Sequence, residues 1–128
     1  MSHKPMPRPT EAELEILRVL WRRGPSTVRQ VHQALLPTKQ TSYNTTLKLL
    51  QIMDQKGMVL CDKSQRPQVY RPSVPESQMQ RRLVSDFLER VFGGSARKLV
   101  AALAASEISR EELAEIRRLL DGLEEKER

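Results

Sequence analysis

Apolar residues recur every three or four positions across residues 14–21, 28–35 and 46–53. The spacing tightens near 58–73, and helical spacing returns from 79 to 123. The first helix is announced by TEAE at 10–13, a capping box in which Thr10 caps and Glu13 reaches back. Leu14, Leu17, Leu20 and Trp21 form its inner stripe, and Gly24-Pro25 ends it. Ser26 is expected to cap a second helix whose inner face carries Val28, Val31, Leu35 and the edge of His32, with Pro37 as the stop. The third helix lies in TSYNTTLKLLQIMDQKG, residues 41–57. Thr41 or Ser42 caps it, Thr46, Leu49, Leu50 and Met53 face inward, and Gly57 stands where a left-handed residue is wanted.

MVLCDK at 58–63 and QVYRPS at 68–73 read as two strands around the turn SQRP. Val59, Cys61 and Lys63 would share one strand face, and Pro67 and Pro72 fit only an edge or an end. Three helices followed by a hairpin is the winged form of the helix-turn-helix. The fold expected is therefore mainly α with a small β-hairpin: an N-terminal winged helix-turn-helix followed by a C-terminal helical domain.

In the second half, SVPE at 73–76 reads as another capping box. Met79, Leu83, Val84, Phe87, Leu88 and Val91 follow as a stripe, and Gly93-Gly94 breaks it. A short helix near 95–105 carries Leu99, Val100 and Leu103. SREE at 109–112 then caps a last helix with Leu113, Ile116, Leu119, Leu120 and Leu123. Three short amphipathic helices make a thin core, better buried against a second copy of the chain. The domains expected are a flexible start over 1–9, a winged helix over 10–75, a helical dimerisation domain over 76–123 and a charged tail over 124–128.

Charge divides the chain the same way. Residues 1–75 carry 12 Lys/Arg against 5 Asp/Glu, a surplus of +7, whereas residues 76–128 carry 10 against 11. A basic module beside a near-neutral one suggests a polyanion for the first and another task for the second. The N-terminus lacks an apolar signal core and no run approaches the ~18 apolar residues of a membrane span, so a cytoplasmic chain without membrane insertion is expected.

Catalytic and metal chemistry find little material. His3, His32 and Cys61 are the only histidines and cysteine, too few for a ligand cluster, so neither metal nor cofactor is expected. No phosphate loop or nucleophile motif occurs, which argues against an enzyme. Glu11, Glu13 and Glu15 suit a helix N-terminus. The third helix is the more informative element. Its inner stripe leaves Ser42, Tyr43, Asn44, Thr45, Lys48 and Gln51 facing outward or toward its start. Asn and Gln can pair with adenine, Thr can meet a thymine methyl, and Ser, Thr and Lys can hold phosphates. Leu47 also leaves the stripe, either to touch a thymine methyl or to pack on the adjacent helix. Lys63, Arg66 and Arg71 make a basic wing able to straddle phosphates. A protein-binding adaptor anchored on Leu47 and Ile52 is the alternative.

PTEAELEILRVLW, SYNTTLKLLQIMDQKGMV, RPQVYRP and FGGSARKLV, in this order and spacing, resemble the penicillinase-repressor family (the BlaI/MecI/CopY type) over about residues 7–123. The resemblance implies a homodimeric transcription repressor on an inverted-repeat operator of double-stranded DNA. It implies a reading helix at about 42–56 with Asn44, Thr45 and Lys48 as leading contacts. The dimer contacts would come from Leu83, Phe87, Leu88, Val91, Leu99, Leu103, Leu113, Ile116, Leu120 and Leu123. The copper-responsive branch carries a C-terminal cysteine cluster, which this chain lacks. In the antibiotic-responsive branch a membrane sensor peptidase, or a protease downstream of it, triggers cleavage in the dimer domain. Staphylococcal-like members are cut at Asn-Phe, and the aligned place here, Ala102-Leu103, has no such pair.

Overall fold

The computed structural model of the chain describes residues 7–38 and 40–126. The expectations placed on residues 1–6, His3 among them, and on residues 127–128 lie outside that range. The described elements are α1 (Glu11–Arg23), β1 (Ser26–Thr27), α2 (Val28–Leu35), α3 (Tyr43–Gln55), β2 (Val59–Asp62), β3 (Val69–Pro72), α4 (Glu76–Phe92), α5 (Ala96–Ala104) and α6 (Arg110–Lys126). The fold is mainly helical with a small antiparallel sheet. It divides within α4 into two units, Met1–Leu83 and Val84–Arg128.

In the first unit α1 begins at its capping box. Glu13 N donates to Thr10 Oγ1 at 3.2 Å, and Thr10 N donates to Glu13 Oε1 at 2.9 Å. Its buried face is wider than the expected stripe. Ile16, Leu17, Val19 and Leu20 are buried while Leu14 is half-buried, because α1 is packed by α2, α3 and β3 together. Trp21 is also half-buried, and its Nε1 donates to the Val74 carbonyl at 3.0 Å.

The second helix starts differently from the expectation. Thr27, not Ser26, is the cap: its Oγ1 accepts from Gln30 N at 3.2 Å, and Gln30 Oε1 accepts from Thr27 N at 2.9 Å. Ser26 belongs to β1, which pairs with β3 through Ser26–Tyr70 and Thr27–Val69. The hairpin is therefore part of a three-stranded sheet in the order β1-β3-β2, with β3 in the middle. A two-residue strand has no periodicity to read. It exists because the backbone groups of β3 need partners on both sides. Across β2 and β3, Cys61 faces Tyr70 and Val59 faces Pro72, which sits at the strand's end. Lys63 lies beyond β2, exposed in the turn, and shares no inward face with Val59 and Cys61.

Ser73 is a second departure. Rather than capping α4, its hydroxyl lies 2.6 Å from the Gly57 carbonyl oxygen and 2.9 Å from that of Met58, and its N–H donates to Met58 O at 3.0 Å. The residue closes the base of the wing. Gly57, at φ +81°, makes the turn from α3 into β2, a conformation that disfavours a side chain. Ile16, Leu17, Leu20, Val31, Leu50, Met53, Met58 and Val59 are fully buried and form the centre of this unit. Tyr70 joins them. Burial, with the Cys61 thiol against it, pushes the Tyr70 hydroxyl up to about 12.

One ion pair links the two ends of this core. Lys56 Nζ donates to Glu13 Oε2 at 2.9 Å, joining the residue after α3 to the first turn of α1. The Glu13 side chain is 2% exposed and that of Lys56 33%. Burial alone pushes the Glu13 carboxyl up. The Thr10 N–H, the Lys56 ammonium and the Thr10 hydroxyl outweigh it and hold the carboxyl below its usual range.

In the second unit α5 and α6 each start at a capping serine. Ser95 Oγ accepts from Lys98 N at 3.2 Å, and Ser109 Oγ accepts from Glu112 N at 3.1 Å. Gly93 and Gly94, at φ +57° and +83°, turn the chain between α4 and α5. The final helix continues through Lys126, taking in Glu124 and Glu125, both good helix formers, so the charged residues there are helical rather than a tail. No described residue from Val84 onward is buried. No described helix is long and apolar enough to cross a membrane.

The Glu13–Lys56 pair has a measurable consequence. Lys56→Met leaves a buried carboxylate without its cation and is expected to cost about 1–3 kcal/mol at pH 7. The folded protein holds Glu13 more acidic than the unfolded chain does. The pair's contribution is therefore full above the ordinary glutamate value and is lost as pH falls through the lower folded value. In Lys56→Met the acid unfolding limb should move to higher pH. Urea denaturation from pH 7 down to pH 3 checks both effects, and equal curves for the two proteins would contradict them.

Candidate nucleic-acid interface

The helix α3 starts at Ser42, whose Oγ accepts from Thr45 N at 3.1 Å and lies 2.9 Å from Thr45 Oγ1. Both hydroxyls thus take part in the helix start, and both residues are exposed. Behind them, Thr46, Leu50 and Met53 are fully buried, and Leu49 is half-buried. That anchoring turns Asn44, Lys48 and Gln51, one helical turn apart, to the opposite, exposed face. Gln55, one turn further on, continues the same face and was not picked out by the sequence pattern. Thr46 Oγ1 lies 3.4 Å from His32 Nδ1, and the His32 ring meets Tyr43 edge-on with centroids 6.0 Å apart. His32 therefore braces the start of α3 from α2.

Leu47 has a divided position. It is half-buried against the core cluster, and its outer edge lines a hollow of about 380 Å³ together with Thr27, Val28, Arg29, Tyr43, Pro67 and Gln68. Ile52 is also half-buried. The two anchors of a protein-binding adaptor are thus largely taken up by the fold itself.

The wing tip is held by one carboxylate. Asp62 Oδ1 accepts from Ser64 N at 3.0 Å and from Ser64 Oγ at 2.5 Å, and Oδ2 accepts from Gln65 Nε2 at 3.0 Å. The Ser64 hydroxyl, then Gln65 and the Ser64 N–H, hold the Asp62 carboxyl below its usual range. The turn so ordered leaves Lys63, Arg66 and, on β3, Arg71 exposed. Arg29 is a further exposed cation beside this face, one that the sequence pattern does not single out. It stands two residues after the α2 cap and is exposed. Its only signal was that position, which does not reveal that α3 and the wing meet beside it.

The residues expected at a dimer contact fall into three groups. Leu83 packs against the core of the first unit. Phe87, Val91, Leu103, Leu113, Leu120 and Leu123 are exposed in the second unit, and Leu88, Leu99 and Ile116 are half-buried there. Val84, Val100 and Leu119, the last 71% exposed, add to the apolar surface. Among the described residues, no group of three or more His, Cys, Asp or Glu is placed to hold a metal ion.

A family model described as Penicillinase repressor matches residues 9–122. The chain belongs to this family. The penicillinase repressor of Bacillus licheniformis is 29% identical over 119 residues, spanning 92% of this chain and 93% of that one. The transcriptional regulator BlaI of Mycobacterium tuberculosis is 29% identical over 115 residues, spanning 89% of this chain and 83% of that one. Among solved structures, the solution structure of the monomeric form of Bacillus licheniformis BlaI in complex with the blaP half-operator aligns with 59% of this chain and 92% of that one. The TM-score is 0.51 and the identity 31%. The relatives of this penicillinase-repressor family member are thus named as repressors and regulators, not as enzymes.

Proposed function

We propose that the chain is a homodimeric transcriptional repressor that binds an inverted-repeat operator in double-stranded DNA and so occludes transcription of β-lactam-response genes. The observation that carries this reading is the exposed polar face of α3, Asn44, Lys48 and Gln51, held outward by a fully buried Thr46–Leu50–Met53 stripe beside an ordered basic wing. Such a helix fits the major groove, where Asn and Gln read adenine and Lys meets guanine or phosphate. The wing cations Lys63, Arg66 and Arg71 add affinity without reading sequence. A relative of this family in complex with a half-operator supports DNA as the partner.

Dimerisation answers the exposed apolar surface of the second unit. Its stripes have no interior of their own, and a near-neutral charge puts no strong repulsion between two copies. Two linked winged helices convert two weak half-site contacts into one strong one, with half-sites about one helical turn apart or a multiple of it. Release by proteolysis would act at Ala102-Leu103, both exposed in the last turn of α5, where helix ends open most readily. A membrane sensor peptidase, or a protease downstream of it, would start that step.

Footprinting on the DNA upstream of the chain's own gene tests the reading, and a two-fold protected site is the expected result. Asn44→Ala and Lys48→Ala should each weaken operator binding by about 1–3 kcal/mol if they make good base contacts. Mobility-shift titrations that match the parent for both would remove α3 as the reading helix. Leu120→Asp, at a residue 46% exposed, should leave the monomer folded and break the dimer. Sedimentation velocity reads this directly, and an unchanged dimer would move the interface elsewhere. Immunoblots of host cells given a β-lactam should show loss of the full-length chain. Persistence of intact protein during induction would eliminate proteolytic release.

A further inference from the structure

We infer that the hollow between α2, α3 and the wing receives one phosphodiester of the operator backbone, with Arg29 as its cation. The inference rests on the DNA-binding reading and deepens it by assigning a contact that the reading helix and the wing do not supply. The hollow measures about 380 Å³ and is lined by Thr27, Val28, Arg29, Tyr43, Leu47, Pro67 and Gln68.

Three features argue for a sugar-phosphate occupant. Val28, Leu47 and Pro67 give the hollow's lining an apolar part, which suits a deoxyribose face. Arg29, Thr27, Tyr43 and Gln68 give it a polar and cationic part, which suits a phosphate. The position is continuous with the reading face: Tyr43 and Leu47 belong to the same turns of α3 as Asn44 and Lys48, and Pro67 and Gln68 continue the wing turn that carries Arg66. A backbone strand bound along α3 and the wing would pass beside this hollow, because both elements line it. The unit around it holds the chain's whole positive surplus, so the field favours the same occupant. The arrangement also gives Leu47 its task. The residue packs on the core cluster and also lines the hollow, where it would meet the sugar.

A phosphate contact differs from a base contact in its salt dependence. Each neutralised phosphate adds about 0.9 to the slope of log K against log salt. The experiment uses the full-length chain and the duplex it selects from a random pool. Arg29→Gln is exposed and is expected to keep the parent's unfolding temperature. It should reduce the salt slope by about one contact per half-site and weaken binding about eightfold per half-site at 0.1 M salt. Arg29→Lys should restore the slope. Gln68→Glu, which brings a negative charge to the rim, should weaken binding as well. Methylphosphonate scanning of the duplex should find one position per half-site whose neutralisation weakens the parent but not Arg29→Gln. An unchanged slope in Arg29→Gln, with the parent binding steeply salt-dependent, overturns the assignment and leaves the DNA reading in place. A parent that selects no duplex, or binds without salt dependence, overturns the DNA reading and this inference with it.

Discussion

The pair between Glu13 and Lys56 is the constraint on which the rest of the first unit depends. Its carboxylate does two jobs at once. One oxygen accepts the Thr10 N–H and starts α1, while the other accepts the Lys56 ammonium from the end of α3. The start of one helix and the end of another are thereby held at a fixed separation. A buried charge of this kind is costly unless it is fully partnered, and removing either partner is worse than never having had the pair. The tie therefore specifies an arrangement more than it adds stability. It ties the start of α1 to the end of α3, the helix that carries Asn44, Lys48 and Gln51.

The remaining supports act on the same helix. Thr46, Leu50 and Met53 press one face into the core, the His32 ring braces Tyr43 at its start, and Gly57 turns the chain sharply into the sheet. The sheet in turn is closed by Ser73 against Gly57 and Met58, so the wing begins from a fixed base. Each polar residue close to the reading face either shapes the scaffold or remains exposed on it. Ser42 and Thr45 do both, since their hydroxyls meet each other at the surface. This explains how so aliphatic a helix can serve a polar partner: burial of one face by the core is what orders the other.

The second unit obeys a different constraint. Its helices are individually sound, with capping serines and a glycine turn, yet no described residue from Val84 onward is more than half-buried. Apolar surface left in water is a standing driving force for association. The unit's stability and the chain's proposed assembly are therefore one physical problem, and a second copy of the same surface is the symmetric solution.

Much of this was determined by the sequence itself. The helices and their caps at Thr10, at Thr41 or Ser42 and at Ser109, the stop at Gly24, the stripe of α3 and the division of charge are local properties, set by residues within a turn or two of each other. The outward set on α3 and the basic wing were legible for the same reason, because anchoring one face of a helix exposes the other. What only the tertiary structure decided involves residues far apart in the chain. Ser26 became a strand because β3 needed a second neighbour, and Ser73 left its expected cap to close the wing. Glu13 found Lys56 across 43 positions. Leu47 proved half-buried, and Arg29 gained its place beside the wing, because packing brings together segments whose spacing along the chain carries no trace of their meeting. Periodicity reports which way a residue faces on its own element, and only the packed fold supplies what it faces.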